Sequence, residues 1–466
     1  MEVQSMNFIG RKRELATLDR LYQQDKFQFV VIYGRRRVGK TALINKFIEN
    51  KPAIYFTGVE SNSKQNLENL SSAIYDGGET EGLSFASFQM ALENVFKTAS
   101  TDRKILVIDE YPYVAKADKS FASTLQMLID KYKDTSKLYL ILCGSSMSYM
   151  EDEVLAYKAP LYGRRTAQMK ILPFTFQEVC EYATGFSPID KALLYGIAGG
   201  TPQYLLQMDN TKTIEDNIKD TFLNPSSILF EEPMNLLKQE VREPSVYTAV
   251  ITAIATGASK ISEISNKIGE DTSICSNYIR NLINLGIVRK ETPYGEKPGK
   301  KTIYIIEDNM FKFWYRFIPK VNTLIARGRI DSAYAKIEPH LTEYMGHIFE
   351  DICTEYLWHL LDSEKSSVEF SDLGHWWGND PKEKKQVEID ILGFGEENDA
   401  IFAECKWQSE KVDTAILKTL VYRSTLFHKN KKFLYLFSKS GFTTGCIKEA
   451  NELGNVKLIS YEEIVK

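Results

Sequence analysis

The chain has 466 residues and a formal net charge of −4, so it is not a polycation that coats nucleic acid along its whole length. Its six scattered cysteines form no C-x-x-C pair, which argues against a zinc site or disulfide scaffold and favours a reducing cytoplasm. No apolar run approaches the roughly 18 residues that span a bilayer, and the amino end lacks a signal-peptide pattern, so we expect a cytoplasmic protein without membrane contact.

A glycine-rich loop near the amino end carries the clearest chemistry. Residues 34–41 match G-x-x-x-x-G-K-[ST], after an apolar run at 27–33 and before helical spacing at 42–48. In this strand–loop–helix context the backbone N–H groups surround a phosphate, Lys40 reaches the β- and γ-phosphates of ATP, and Thr41 binds Mg²⁺. The predicted nucleotide contacts in the loop are Gly34, Arg35, Arg36, Arg37, Val38, Gly39, Lys40, Thr41 and Ala42. We expect the three arginine side chains to face solvent or a partner.

A second buried strand, 104–108, ends in two carboxylates. We predict that Asp109 binds Mg²⁺ and that Glu110 polarises the attacking water. A third apolar strand, 138–143, is followed by Ser145 and Ser146. Either hydroxyl would sense the γ-phosphate if this strand lies between the first two, and we take Ser145 as the candidate while leaving Ser146 open.

Further strands at 52–56 and 168–172 bring the number to five. Strands that alternate with helical patterns predict an α/β fold with a doubly wound parallel sheet, and its ligand should lie at the carboxyl ends of the strands.

Residues 1–240 resemble the archaeal and bacterial ATPase family of the AAA+/STAND group of P-loop proteins. Four stretches carry the resemblance: 8–15, 34–41, 108–111 and 161–165. It implies that the adenine is bordered by Phe8, Ile9, Gly10 and Arg11. It also implies that Arg164 or Arg165 serves as an arginine finger or sensor, since a guanidinium bonds phosphate bidentately; a solvated pair near a domain junction is equally open.

The run Gly199–Pro202 resembles the Gly-x-Pro signature in the helical lid of STAND proteins, which adds Pro202 to the nucleotide contacts. An arginine finger acting in trans would require an oligomer.

Residues 244–306 have the element order of a winged helix, with helices at 245–254, 260–268 and 273–285 and a hairpin around 293–301. This stretch holds eight Lys or Arg against five Asp or Glu, in contrast to the negative whole. We predict DNA contact, with base edges read by Ser276, Asn277, Arg280 and Asn281 and phosphates held by Lys297, Lys300 and Lys301. A module that binds a protein partner is the alternative.

The last quarter places Asp390 on a period-two strand and Glu404 and Lys406 on the next one. This layout resembles the PD-(D/E)xK nuclease superfamily, in which two carboxylates hold Mg²⁺ beside a phosphate and the lysine stabilises developing charge. The resemblance also suggests Glu350 on the helix 341–361, although a helical projection places it away from the apolar stripe. Related ATPases carry a similar C-terminal domain of unknown function.

Together these features predict five segments. They are a P-loop ATPase core (1–178), a helical lid (179–242), a winged helix (243–306), a helical connector (307–340) and an α/β restriction-endonuclease-like domain (341–466). The predicted function is a Mg²⁺-dependent, DNA-associated ATP hydrolase whose last domain is an ATP-gated nuclease. The alternative is a nucleotide switch that binds DNA or a protein partner without cutting.

Overall fold

A computed structural model describes residues 8–75 and 84–466. The chain divides into two compact units. The first holds the chain up to Phe174 together with Thr201–Gln203, and the second holds Thr175–Gly200 and Tyr204–Lys466. Within the described residues, no helix is both long and apolar enough to cross a bilayer.

The first unit is built on a five-stranded sheet in the order β2-β3-β4-β1-β5, with every neighbouring pair parallel. The predicted five-stranded parallel sheet is therefore confirmed. Alternate residues of β1 belong to different apolar clusters, Phe29 and Val31 to one and Val30 and Ile32 to the other, so the sheet is covered on both faces. The strands are β1 (Gln28–Tyr33), β2 (Ala53–Thr57), β3 (Ile105–Asp109), β4 (Tyr139–Gly144) and β5 (Ala167–Lys170).

Helices cover both faces of this sheet. Helix α2 starts at Lys40, directly after the glycine loop, so its amino end lies at the carboxyl edge of β1. The helices are α1 (Lys12–Tyr22), α2 (Lys40–Ile48), α3 (Ser63–Tyr75), α4 (Phe88–Thr98), α5 (Tyr111–Ala117), α6 (Phe121–Tyr132) and α7 (Met147–Tyr149), followed by a π-helix (Met150–Leu155).

The second unit begins with helices and a short hairpin. Three helices and then two antiparallel strands lie where the winged-helix pattern predicts them; the assignment of these elements to a DNA-binding module stays a prediction. The elements are α8 (Phe176–Tyr182), α9 (Pro188–Ala198), α10 (Pro202–Leu205), α11 (Ile214–Thr221), α12 (Ile228–Glu240), α13 (Pro244–Ala255), α14 (Ile261–Ile268), α15 (Thr272–Asn284), β6 (Val288–Glu291), β7 (Ile303–Ile306), α16 (Asn309–Ala326), α17 (Ile330–Ile337) and a 3₁₀ turn (Glu338–His340).

The carboxyl-terminal part contains a second five-stranded sheet, in the order β12-β11-β10-β9-β8. It is mixed, because β8, β9 and β10 pair antiparallel whereas β10, β11 and β12 pair parallel. In the β9–β10 register Ile391 faces Ala403, which places Asp390 beside the Glu404 end of β10. The elements are α18 (Leu341–Asp362), β8 (Gly374–Asn379), β9 (Gln386–Phe394), β10 (Ala400–Lys406), α19 (Thr414–Ser424), β11 (Lys432–Ser438), α20 (Thr444–Leu453), β12 (Val456–Ser460) and α21 (Tyr461–Val465).

Candidate functional site

The glycine loop needs its two terminal glycines. A Cβ on Gly34 would collide with the carbonyl oxygen of Ile171, and Gly39 has a φ of 90°, which favours glycine. Lys40 is buried, and its ammonium donates to the carbonyl oxygens of Gly34 (2.8 Å) and Arg35 (3.0 Å). The loop therefore holds a cation inside its own curve, where a phosphate would be bound.

The expectation that Arg35 faces solvent is wrong. Its side chain is only 5% exposed, and its Nη2 donates to the Thr201 hydroxyl at 3.0 Å. Pro202 lies against the same loop, because a Cβ on Gly39 would come within 3.6 Å of Pro202 Cγ. The segment Thr201–Gln203 is part of the first unit, and its Pro202 lies beside the glycine loop. Arg36 is half-buried and donates to the Tyr113 hydroxyl at 3.0 Å.

Asp109 is held by three donors at the carboxyl end of β3. Its Oδ2 accepts from the Thr41 hydroxyl (3.1 Å) and from the Tyr55 hydroxyl (2.6 Å), and its Oδ1 accepts from the Glu110 N–H (2.9 Å). Burial and the adjacent Asp109 carboxylate raise the pKa of Tyr55, so it stays a donor. Sequence reasoning missed Tyr55, although it is two residues from the end of β2, the strand that pairs with β3.

Glu110 is bonded to Ser145 rather than to Ser146. Its Oε2 accepts from the Ser145 hydroxyl at 2.8 Å, and β4, which precedes this serine, lies between β3 and β1 as the sensing hypothesis requires. The backbone of Glu110 has a φ of 49°, a strained conformation for a residue with a side chain. Strain of this kind concentrates at functional sites.

The remaining arginines have different surroundings. Arg11 is buried and donates to the carbonyl oxygens of Val38 (3.0 Å) and Leu172 (2.6 Å), so it ties the region before α1 to the glycine loop. Arg164 is paired bidentately with Asp130 at 2.8 and 2.7 Å. Arg165 lies over the ring of Tyr162, and its charge lowers the pKa of Tyr33, at the end of β1, against a larger rise caused by burial. Phe8 is half-buried and packs against the apolar cluster that includes residues of α1. Ile9 and Gly10, between Phe8 and Arg11 in the chain, are also half-buried.

Tyr55→Phe is expected to raise the Mg²⁺ concentration for half-maximal ATP turnover about tenfold, because partners that orient a metal-binding carboxylate are worth roughly 10–100-fold in affinity. Turnover at saturating Mg²⁺ should change little. The measurement is phosphate release over a Mg²⁺ titration. Tyr132→Phe is the matched control, since it removes a tyrosine hydroxyl that bonds to Glu93 and not to Asp109. Equal Mg²⁺ dependence of the two variants would contradict the role of Tyr55.

The carboxylate site in the second unit contains the three residues that the sequence predicts to lie together, Asp390, Glu404 and Lys406. Asp390 and Glu404 are buried, and the Lys406 ammonium lies 2.6 Å from Glu404 Oε1 and 4.0 Å from Asp390 Oδ2. The Cys405 N–H donates to Asp390 Oδ2 at 2.8 Å. Burial, Glu404 and Glu350 raise the pKa of Asp390 well above its ordinary value.

Two further side chains complete the surroundings of this site. Glu350 on α18 lines the same cavity as Asp390. Arg423 on α19, which sequence reasoning missed, donates to Glu404 Oε2 at 2.9 Å. Both oxygens of Glu404 are thus engaged by cations. No group of three or more His, Cys, Asp or Glu side chains in the described part of the chain is arranged to hold a metal ion.

The predicted nucleic-acid contacts lie on α15 and on the hairpin after it. On α15, Arg280 donates to Asn277 at 2.8 Å, and both are exposed. Asn281 instead donates to the Tyr247 hydroxyl at 2.6 Å. In the hairpin loop, Lys301 pairs with Glu296 at 2.6 Å.

The base of the hairpin loop is fixed to the second sheet by Tyr294. Its N–H donates to His375 O at 2.9 Å, and its hydroxyl accepts from the Phe394 N–H at 3.1 Å. The two β6–β7 strands and the carboxylate site therefore belong to one packed body.

Helix α18 also carries a half-buried acid, Glu355, that bonds to α8 and α9. It accepts from the Phe176 N–H at 2.7 Å and from the Tyr195 hydroxyl at 2.8 Å, and burial raises its pKa to about 7. A raised acid pKa means that the folded state binds the proton more tightly than the unfolded state. The contribution of this group to stability is therefore full below about pH 4.5 and is lost as the pH rises to about 7.

Glu355→Gln is expected to remove this loss. The free energy of unfolding of the variant, relative to the unsubstituted protein, should rise by about 3 kcal/mol between pH 4.5 and 7, at roughly 1.4 kcal/mol per pKa unit. Denaturant unfolding at a series of pH values measures it. Glu410→Gln, at an exposed acid of the same unit, is the control. A constant difference for Glu355→Gln across this range would contradict the assignment.

A glycine loop between a buried strand and a helix, beside an aspartate at the end of the neighbouring strand, defines a P-loop nucleotide-binding protein. A family model for an ATPase domain predominantly from Archaea matches residues 8–208, and one for archaeal and bacterial proteins of unknown function matches residues 314–417. An uncharacterized protein of Methanocaldococcus jannaschii is 31% identical over 459 residues, which are 98% of this chain and 99% of that protein. The chain belongs to the family of this archaeal protein, and its first part is an archaeal-type ATPase domain.

Other similarities are more local or more distant. An uncharacterized ATP-binding protein of the same archaeon is 54% identical over 44 residues, which are 9% of this chain and 75% of that protein. Among solved structures, a Walker-type ATPase of Pyrococcus abyssi shares 18% identity over 66% of this chain and 96% of its own, with a TM-score of 0.49. The ORC2 protein of Aeropyrum pernix shares 13% identity over 69% of this chain and 96% of its own, with a TM-score of 0.44. The family match supports ATP binding and hydrolysis by this chain.

Proposed function

We propose that the first unit hydrolyses ATP at the edge of its sheet, with Lys40, Thr41, Asp109, Glu110 and Ser145 as the working residues. The observation that carries this proposal is the continuous hydrogen-bonded arrangement at that edge: Thr41 bonds to Asp109, and Ser145 bonds to Glu110. The family match supports the same activity.

The roles follow from the surroundings of each side chain. The Lys40 ammonium exchanges loop carbonyl oxygens for the β- and γ-phosphate oxygens of ATP. Glu110 orients the attacking water and accepts its proton, while the Ser145 hydroxyl holds the Glu110 carboxylate in place. Thr41 and Asp109 would hold Mg²⁺; their hydroxyl and carboxylate oxygens are the donors that it prefers, and Mg²⁺ supplies charge neutralisation at the phosphates.

The structure gives less support for the roles of the arginines than for those of the other site residues. The bidentate pairing of Arg164 with Asp130 engages the Arg164 guanidinium and therefore favours Arg165 as the finger or sensor. Phe8, Ile9, Gly10 and Arg11 are proposed to border the adenine, and the contact of Arg11 with the loop at Val38 supports this.

The test is phosphate release by the purified full chain with and without Mg²⁺, together with calorimetric titration of ATP. Saturable heat and Mg²⁺-dependent release are expected. Absence of heat on titration would overturn the nucleotide site altogether, whereas heat without release would leave a binding site without turnover.

We further infer that the second unit acts on nucleic acid, with the winged-helix elements binding it and the carboxylate site cleaving a phosphodiester bond under control of ATP. The convergence of Asp390, Glu404, Lys406 and Glu350 supports the cleavage. Asp390 suits a Mg²⁺ ligand, since its Oδ1 accepts no hydrogen bond within the described residues, and Mg²⁺ bound there with water would activate the phosphate. Lys406 would stabilise charge that develops on that phosphate.

One observation favours the alternative, a nucleotide switch that binds DNA or a protein without cutting. Glu404 is already neutralised by Lys406 and Arg423, at 2.6 and 2.9 Å. Incubation of the full chain with labelled single-stranded, duplex and branched DNA, with and without ATP and Mg²⁺, decides between the two. Cleaved product supports the nuclease, and binding without product supports the switch.

A further inference from the structure

Three hollows of the second unit adjoin one another along the winged-helix and connector elements. The middle one has a volume of about 900 Å³ and lies between the β6–β7 hairpin and the carboxylate site, with Glu350 and Asp390 in its wall. A hollow of about 520 Å³ shares Lys290 and Tyr304 with it. Another, of about 530 Å³, shares Arg316 with it. Because they share wall residues, the three hollows are neighbours, and we call them together the groove.

The charge along this groove changes from basic to acidic and back to basic. The middle hollow is lined by six carboxylates against four cationic side chains, Glu350 and Asp390 among the acids. Neither end hollow is lined by a carboxylate. The cationic side chains are Lys260, Lys290 and Lys300 at one end and Arg316, Lys320 and Lys336 at the other.

The lysines at both ends are available for a ligand. Lys290, Lys320 and Lys336 are exposed, and none of them enters an ion pair with any described residue. Arg316, in contrast, pairs with Glu343 at 3.1 Å. Exposed ammonium groups in a row are suited to the phosphates of a nucleic-acid backbone, and Tyr304 between two of the hollows offers a ring on which a base can stack.

We propose that this groove binds one nucleic-acid strand, with backbone phosphates on Lys290 and Lys300 at one end and on Lys320 and Lys336 at the other. The phosphate between them then faces Glu350 and Asp390. A middle hollow in the size range of a small-molecule pocket takes a single strand rather than a double helix. The proposal assigns a binding role to the connector helices α16 and α17, and it rests on the proposed phosphodiester chemistry for the role of the middle hollow.

An acidic peptide fits this groove less well than a nucleic acid. Its carboxylates would meet the acidic middle without a chemical reason to lie there, whereas a phosphodiester and two carboxylates are brought together by a shared divalent cation. The basic–acidic–basic order therefore favours a nucleic-acid strand.

The experiment measures binding and cleavage separately on the full chain. Fluorescein-labelled single-stranded DNA and RNA of the same sequence are titrated by anisotropy over a range of KCl concentrations, with Ca²⁺ in place of Mg²⁺. For Lys320→Ala/Lys336→Ala we expect about tenfold weaker binding. The slope of the logarithm of the binding constant against the logarithm of the KCl concentration should fall in magnitude by about 1.4, since each lost phosphate contact on a single strand removes roughly 0.7 from that slope. Lys320→Arg/Lys336→Arg should bind like the unsubstituted protein.

The control is Lys238→Ala/Lys365→Ala, which removes the same charge from exposed lysines of the same unit that line none of the three hollows. Equal weakening by the control pair and the groove pair overturns the proposal, as does the absence of binding to both strands. Binding of DNA alone, RNA alone or both supports it and identifies the source of the phosphates. Cleavage is read on a gel after Mg²⁺ is added; a strand that stays intact although bound through these lysines counts against the nuclease and not against the groove.

Discussion

Lys40→Ala is expected to lower ATP turnover by about 10²–10³-fold or more, the range seen when one preorganised charge-stabilising donor is removed from an active site. The ammonium of Lys40 is buried inside the loop, 2.8 Å from Gly34 O and 3.0 Å from Arg35 O. Alanine removes the cation from the position where the γ-phosphate gains charge, while the loop N–H groups remain. Turnover should therefore suffer more than binding, which the N–H groups and the amino end of α2 still favour.

The matched control for this prediction lies on the same helix. Lys46 has the same side chain, but its ammonium pairs with Glu49 at the surface at 2.6 Å. Lys46→Ala should hydrolyse ATP like the unsubstituted protein, and equal thermal unfolding temperatures would show that both variants fold. Turnover by Lys40→Ala within about twofold of the control would mean that this loop is not the hydrolytic site.

The part of the nucleotide site that could be predicted from the sequence is the part set by local spacing. The loop from Gly34 to Thr41 and the acids at the end of β3 lie next to each other in the chain, and parallel strands bring their carboxyl ends to one edge. Tyr55 could not be found in this way, because its bond to Asp109 joins residues 54 positions apart. The burial of Arg35 was mispredicted for the same reason, since its partner Thr201 is 166 positions away.

The second sheet, too, could be predicted only in part from the sequence. The strands predicted to carry Asp390, Glu404 and Lys406, β9 and β10, lie in the interior of the sheet. The strands β8 and β12, which were not predicted, are its edges, where fewer side chains are buried and the hydrophobic pattern is weak. Glu350 lines the same hollow as Asp390 although the helical projection places it away from the apolar stripe, because α18 is covered on more than one side.

If the carboxylate site is a nuclease, Asp390→Asn is expected to lower the rate of Mg²⁺-dependent cleavage by about 10³-fold or more. Asparagine keeps the size of the side chain and an oxygen for the Cys405 N–H bond, 2.8 Å long in the unsubstituted protein, but it loses the charge that binds the cation. Stability should not fall. The pKa of Asp390 is raised by burial and by Glu404 and Glu350, which means that the ionised carboxylate is disfavoured in the folded state and a neutral amide removes that cost.

Glu388→Gln provides the control, because Glu388 lies two residues away on the same face of β9 but is mostly exposed. Both variants and the unsubstituted chain are incubated with labelled DNA, Mg²⁺ and ATP, and the products are resolved on a gel. Product from the unsubstituted chain and Glu388→Gln but not from Asp390→Asn establishes cleavage at this site. Strand binding by all three without product would instead mean that the pairing of Glu404 with Lys406 and Arg423 is permanent, and that the buried acids serve a switch whose output is binding alone.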